Sequence, residues 1–151
     1  MGQSQSLSTE VEIQATPDVV RTIFSDFPRY KEWCKWTIEP VASGKKASEL
    51  RANDRIKVNL DGMAFSPVVK QNSTDCFSWE GSLYGMFTGK HQFHFSPSTK
   101  NPGGTTAVQV EDFQGLLAFL MAPGWSFRQK TLDNWDAFFG DLKKEAEQTS
   151  R

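Results

Sequence analysis

Among the residues of this sequence, a histidine and a glutamate have the types and spacing that best suit proton transfer. His91 lies in the segment 87–97 and Glu111 in the segment 104–115, and both segments alternate apolar and polar residues as half-buried β-strands do. A hairpin loop centred near residue 101 would bring His91 directly opposite Glu111 on the neighbouring strand. The face that carries this pair also carries Phe93, Phe95, Gln109 and Phe113. We therefore expect it to point into the protein interior.

An imidazole and a carboxylate that meet among aromatic rings suit general acid–base catalysis. The carboxylate of Glu111 favours protonation of His91 and burial opposes it, so the pair can titrate near neutral pH. Alternatively, the two side chains only satisfy each other's hydrogen-bonding groups and fix the strand register. Both interpretations stay open. No third ligand stands at a suitable spacing, so we expect no metal site.

Other side chains are candidates for contact with a ligand. Alternation along the segment 75–83 places Phe77, Trp79, Gly81 and Leu83 on the inner face, whereas His94 of the next strand points outward. Arg128 precedes Leu132 by four residues, which places it on the apolar side of a C-terminal helix. There it can bind a ligand carboxylate or phenolate, or else extend to water. The ligand-contacting residues that we predict are Trp33, Phe77, Trp79, Phe93, Gln109, Phe113 and Arg128.

The elements that position these residues follow from periodicity and turn residues. A strand is predicted over 9–15, and Thr16-Pro17-Asp18 then begins a helix that ends at Phe27-Pro28, followed by a short turn to Trp33. Strands are predicted over 35–43, 54–60, 65–72, 75–83, 87–97 and 104–115. Their short connections leave no room for crossover helices, so the sheet should be antiparallel. A long C-terminal helix follows, with an apolar stripe of Leu132, Trp135, Phe139, Leu142 and Ala146.

Length and composition indicate one domain with a large aromatic interior. The chain has 151 residues, of which we assign 1–8 to a flexible leader and 9–148 to a single α+β domain. The formal net charge of −1 argues against a nucleic-acid partner. The 12 Phe and 5 Trp residues favour a cavity that is lined by rings and holds a small hydrophobic or aromatic ligand.

The sequence carries few signals that would direct the protein to a membrane or out of the cell. No stretch is apolar enough to span a membrane or to act as a signal peptide, and Cys34 and Cys76 are isolated, so we expect a cytoplasmic protein with reduced thiols. Gly2 and Ser6 match a short N-myristoylation pattern, but two fixed residues are weak evidence, and a flexible leader or a cloning remnant explains them better. A single acyl chain without a basic patch would anchor only weakly, so stable membrane insertion is not expected.

The order of several motifs resembles the polyketide cyclase/dehydrase branch of the START-like SRPBCC superfamily over residues 9–148. The motifs are residues 15–20 (ATPDVV), 24–33 (FSDFPRYKEW), Trp79-x-Gly81, 87–93 (FTGKHQF), Gly103-Gly104-Thr105 and Glu111-x-Phe113-x-Gly115. The resemblance implies a helix-grip fold, in which a seven-stranded antiparallel sheet wraps around the C-terminal helix and two short helices follow strand 1. It also implies a deep apolar cavity faced by His91, Gln109 and Glu111. Where relatives commonly carry Trp-Asn-Pro-Phe, this chain has Trp33-Cys34-Lys35-Trp36.

Three functions fit this interpretation. The first is a cyclase or dehydratase of secondary metabolism that needs no cofactor and moves a proton with His91 and Glu111. The second is a non-catalytic carrier of a lipid, quinone or terpenoid, in which the same pair tethers the ligand. The third is a protein-interaction module with a vestigial cavity. Fold alone does not choose among them, and the sequence does not specify the oligomeric state.

Overall fold

The computed structural model describes residues 3–83 and 86–150. Gly2 of the acylation motif lies outside these residues, and the side chain of Leu83 is not described. Two α-helices, α1 (Pro17–Ser25) and α2 (Ser126–Thr149), are joined by strands and three short 3-10 helices. The strands are β1 (Gln3–Ile13), β2 (Trp36–Pro40), β3 (Ile56–Leu60), β4 (Ala64–Phe65), β5 (Val68–Asn72), β6 (Cys76–Leu83), β7 (Phe87–Pro97) and β8 (Thr105–Gly115). The 3-10 helices are Phe27–Glu32, Ala47–Glu49 and Ala118–Met121.

Helix α1 begins where the sequence predicts it. The side chain of Thr16 accepts a hydrogen bond from the backbone N–H of Val19, and Pro17 takes the first helical position, where its missing N–H costs nothing. Val20 and Phe24 are buried by this helix. The 3-10 helix Phe27–Glu32 follows directly and packs against β2, and the two are the short helices expected after strand 1.

The strands form two antiparallel sheets rather than the single seven-stranded sheet that we expected. The larger has the order β1-β8-β7-β6-β5, and the smaller has the order β2-β3-β4. The predicted strand 65–72 is divided at Pro67, which has no N–H for the ladder. The two sheets remain connected, because Ile56 donates a backbone hydrogen bond to Pro67 and Val69 donates one to Asp54. The described residues thus form eight strands within the predicted α+β architecture.

Strand β1 is longer at its start than the sequence indicates. It begins at Gln3, and residues 3–8 pair with β8 from Gly115 to Val110. The structure therefore places most of the expected flexible leader in the sheet. Alternating small polar residues gave no strand signal there, and the long partner strand supplies the backbone hydrogen bonds that order the segment.

Helix α2 packs on the inner face of the large sheet and against α1. Its buried side chains are Trp135, Phe138, Phe139, Leu142 and Ala146, which confirms most of the predicted stripe, whereas Leu132 is only partly buried. Within the described part of the chain, no helix is long and apolar enough to cross a membrane.

Candidate functional site

The predicted register of the β7–β8 hairpin is confirmed. His91 pairs with Glu111, Phe93 with Gln109, and Phe95 with Ala107. Because paired residues share a face, the imidazole and the carboxyl group point to the same side, toward α2. On the other side of β7, Trp79 pairs with His91. His91 thus lies at the centre of the concave face, between an indole and a carboxyl group.

His91 and Glu111 are close but differ in their access to solvent. Nδ1 of His91 lies 3.5 Å from Oε1 of Glu111, with 1% of the His91 side chain and 14% of the Glu111 side chain exposed. A distance of 3.5 Å is long for a hydrogen bond, and Nδ1 has no other hydrogen-bond partner among the described residues. A molecule from solvent can therefore reach Glu111 first, and His91 only behind it.

Burial shifts the two pKa values in opposite directions. It lowers the pKa of His91 from 6.5 to about 3, partly opposed by a hydrogen bond to Gln109. Burial also raises the pKa of Glu111 from 4.5 to about 8, with a smaller contribution from the nearby Asp112 carboxylate. The expected titration of His91 near neutral pH is therefore not what the structure indicates: at pH 7 the imidazole is neutral and Glu111 is mostly protonated. The pair combines a carboxylic acid with a neutral base.

Gln109 connects this pair to α2. Its Oε1 atom lies 3.0 Å from Nε2 of His91, and its Nε2 atom donates to the backbone carbonyl of Trp135 at 3.3 Å. The side chain is fully buried. Both ends of the amide are occupied, so the ligand contact that we predicted for Gln109 would require one of these hydrogen bonds to break.

Aromatic rings surround the imidazole. The ring centroid of His91 lies 4.3 Å from that of Phe93, 4.6 Å from Trp135, 5.0 Å from Trp79 and 6.5 Å from Trp36. These rings pack closely around the imidazole. Two open surface pockets, of about 380 Å³ and 490 Å³, lie elsewhere, and neither is lined by His91 or Glu111. The deep cavity remains a prediction.

Four of the remaining predicted ligand contacts are buried side chains. Phe77 and Phe93 pack with Phe24 in the central core, and Trp79 is fully buried with its indole N–H unpaired among the described residues. Phe113 is buried near Glu111 and stacks on Phe87, with ring centroids 5.2 Å apart.

Trp33 and Arg128 lie away from His91. The ring of Trp33 packs on Tyr30 at 4.9 Å and on Phe138 at 5.6 Å. Arg128 is half-buried, lines the 490 Å³ surface pocket, and donates a 2.8 Å hydrogen bond to the backbone carbonyl of Met121. Its guanidinium therefore binds the end of a 3-10 helix in the structure, and its contact with a ligand stays a prediction.

Three residues of the site were not among our candidates. Trp36 stacks on Phe138 with centroids 3.9 Å apart and faces His91, and Trp135 contacts His91 from α2. Gly89 leaves the space that the Glu111 carboxyl group occupies, since a Cβ atom there would clash with Oε2 of Glu111. The sequence contained a signal for two of these residues. The helical period of α2 put Trp135 on the buried stripe, and alternation along β7 put residue 89 on the same face as His91.

The sequence model of the family described as polyketide cyclase/dehydrase and lipid transport matches residues 4–147. The chain belongs to this family. No curated protein matches the sequence closely enough to count as a relative.

Several solved structures share the fold of this protein at low sequence identity. A START superfamily protein from Mycobacterium smegmatis superposes with a TM-score of 0.67 and 17% identity, covering 95% of this chain and 98% of that one. The Zhui aromatase/cyclase from Streptomyces sp. R1128 gives a TM-score of 0.69 and 12% identity, covering 99% of this chain and 97% of that one. A norcoclaurine synthase point mutant from Thalictrum flavum, in complex with a transition-state analogue, superposes with a TM-score of 0.70 and 10% identity. The match covers 100% of this chain and 99% of that one. These likenesses establish the START-like fold.

Proposed function

We propose that this protein binds a small, uncharged aromatic or apolar molecule next to Glu111 and catalyses a cofactor-free cyclisation or dehydration of a polyketide-like substrate. The observation that carries the proposal is the buried acid–base pair: Glu111 is protonated near neutrality and lies beside the unpaired Nδ1 atom of His91. Family membership and two enzymes among the structural neighbours support a ligand-binding role.

Dehydration of a β-hydroxy ketone shows what this pair can do. One oxygen of the Glu111 carboxyl group donates its proton to the hydroxyl group while the other oxygen takes the proton from the carbon next to the carbonyl. The electron pair of that carbon–hydrogen bond forms the carbon–carbon double bond, the carbon–oxygen bond breaks with its electrons on the leaving water, and the carboxylic acid is restored. His91 holds the acidic proton of Glu111 toward its Nδ1 atom between turnovers. No electron donor or acceptor is needed, because the reaction is not a redox step.

The uncharged state of both groups limits the substrate. A carboxylate next to a protonated Glu111 would find no cation to pair with among the described residues, because the one charged neighbour that shifts the pKa of Glu111 is the Asp112 carboxylate. Burying an unpaired charge costs several kcal/mol. The substrate group that meets Glu111 is therefore expected to be a neutral hydroxyl or carbonyl. We place this activity in the cytoplasm, and we expect no metal or organic cofactor.

Substitution of Glu111 tests the proposal. The probe is an aromatic β-hydroxy ketone, the aldol product of benzaldehyde and acetone, whose dehydration gives a conjugated enone with a strong ultraviolet absorbance. Glu111→Gln keeps the shape but loses the acid, so we expect kcat to fall by roughly 10²–10⁴ with KM nearly unchanged. His91→Ala should lower kcat in the same direction.

The control is Glu80→Gln, which removes an outward carboxylate of β6 that pairs with Lys70 at 3.6 Å. It should leave the rate within about twofold, since exposed ion pairs contribute little. A Glu111→Gln protein that retains wild-type turnover, or one that loses binding and turnover equally, contradicts acid–base catalysis.

A non-catalytic carrier is the second candidate, and one observation favours it. The indole N–H of Trp79 and Nδ1 of His91 are both buried without a described partner, which is the arrangement that a polar group of a bound ligand would satisfy. The family description includes lipid transport. Native mass spectrometry of freshly purified protein would then reveal a retained apolar molecule, and Glu111→Gln would reduce its occupancy. Repeated recovery of empty protein argues against the carrier.

A further inference from the structure

The side-chain amide of Gln109 has one orientation that satisfies both of its neighbours. A backbone carbonyl can only accept a hydrogen bond, so the group that faces the carbonyl of Trp135 at 3.3 Å must be the NH₂ group of Gln109. The amide oxygen consequently faces Nε2 of His91 at 3.0 Å. Reversing the amide would place two acceptors against each other at one end, at the cost of a buried hydrogen bond.

The orientation of Gln109 determines which nitrogen of the imidazole carries the proton. Nε2 faces an oxygen that can only accept, so Nε2 must donate. A neutral imidazole has one N–H group, which leaves Nδ1 with a lone pair. Nδ1 faces Glu111 at 3.5 Å. Glu111 can therefore donate a hydrogen bond to His91, His91 to Gln109, and Gln109 to the backbone carbonyl of Trp135 in α2.

We propose that Gln109 is a positioning residue that holds His91 in the Nε2-protonated tautomer, with the Nδ1 lone pair directed at the carboxyl group of Glu111. The importance of this tautomer for turnover rests on the proposed function. The tautomer itself does not, because it exists without a substrate. In the opposite tautomer Nδ1 would carry a proton toward Glu111, and His91 could no longer accept a hydrogen bond from the acid.

The protein contains two histidines, which makes the tautomer directly measurable. Protein labelled with ¹⁵N at histidine gives long-range proton–nitrogen NMR spectra with two ring patterns, one for His91 and one for His94. His94 lies on the outer face of the same strand, with Nε2 3.0 Å from Oε1 of Gln92. It is an internal reference of similar chemistry outside the site.

We expect His91 of the wild-type protein to show a proton on Nε2 and an unprotonated Nδ1 at pH 6, where His91 and Glu111 are both uncharged. Gln109→Leu removes the acceptor and should shift the tautomer ratio toward Nδ1–H by about five- to tenfold, the equivalent of one hydrogen bond. Gln92→Leu, the matched control, should leave the His91 pattern unchanged. Gln109→Met keeps the length of the side chain and replaces Gln109→Leu if that variant does not fold.

A wild-type His91 with its proton on Nδ1 overturns the proposal without any variant. An unchanged His91 tautomer in folded Gln109→Leu or Gln109→Met also overturns it, because a structural role alone would leave the tautomer where it was. If the tautomer is as expected but the probe ketone is not turned over, the assignment of Gln109 stands and the proposed reaction fails. The two outcomes are thus distinguishable.

Discussion

The pH dependence of stability offers a direct test of how His91 and Glu111 are buried. Stability rises with pH wherever the unfolded chain binds more protons than the folded one, and falls where it binds fewer. The folded pKa of Glu111 is raised from 4.5 to about 8, so its stabilising contribution is complete below pH 4.5 and is lost as the pH rises toward 8. The folded pKa of His91 is lowered from 6.5 to about 3, so its contribution is lost as the pH falls from 6.5 toward 3.

The two effects act together in one pH interval, and Glu111 acts alone in the next. Between pH 4.5 and 6.5 they oppose each other and nearly cancel. Between pH 6.5 and 8 only Glu111 contributes, and each pH unit is equivalent to about 1.4 kcal/mol. The free energy of unfolding should therefore fall by about 2 kcal/mol over this interval, or about 4–8 °C in Tm for a chain of this length. The other pKa values that are raised belong to Cys34, Cys76, Tyr30 and Arg29, which titrate at higher pH.

Urea unfolding at constant temperature and a series of pH values measures this change. Glu111→Gln has no proton to lose, so its free energy of unfolding should stay flat between pH 6.5 and 8, where the wild-type value falls. Comparing the two proteins removes the contributions of the groups that they share. Parallel curves for wild type and Glu111→Gln would refute the view that Glu111 is held protonated by burial, and the acid in the proposed mechanism would be lost with it.

Two further substitutions follow from close contacts. Gly89→Ala makes a Cβ atom clash with Oε2 of Glu111, so the carboxyl group must move, and we expect the fall in the free energy of unfolding above pH 6.5 to become smaller. The control is Gly81→Ala: residue 81 pairs with Gly89, but its Cβ atom would meet Phe65 at an ordinary 3.4 Å, so the fall should stay as in the wild type. Urea unfolding at several pH values measures both variants. An unchanged slope in Gly89→Ala would mean that Glu111 relaxes without leaving its site. Asn72→Ala removes hydrogen bonds to Arg21, Ala47 and Leu50, and should lower the free energy of unfolding by about 2–3 kcal/mol. Gln71→Ala on the exposed side of the same strand should cost less than about 0.5 kcal/mol, and equal losses would show that the Asn72 contacts contribute little.

Local patterns predicted the strands and the register of the site well. The period-2 alternation of β7 and β8 and the position of their loop were enough to place His91 opposite Glu111. These features depend on residues near each other in sequence, where one hairpin fixes the pairing. Failures occurred where partners are distant: residues 3–8 became a strand because β8 lies beside them, and Pro67 divided a predicted strand in two.

The amino-acid sequence alone determined that an imidazole and a carboxyl group share the inner face of a curved sheet beneath a C-terminal helix. Only the tertiary structure decided their protonation, because the pKa values depend on how completely rings from β2, β6 and α2 remove water from His91. It also decided that Gln109 bridges His91 to the carbonyl of Trp135, and that Arg128 binds Met121. The alternation of apolar and polar residues along a strand indicates which face of the sheet a side chain lies on. Proton affinity depends on every group packed around it, and those groups come together only when the helix closes over the sheet.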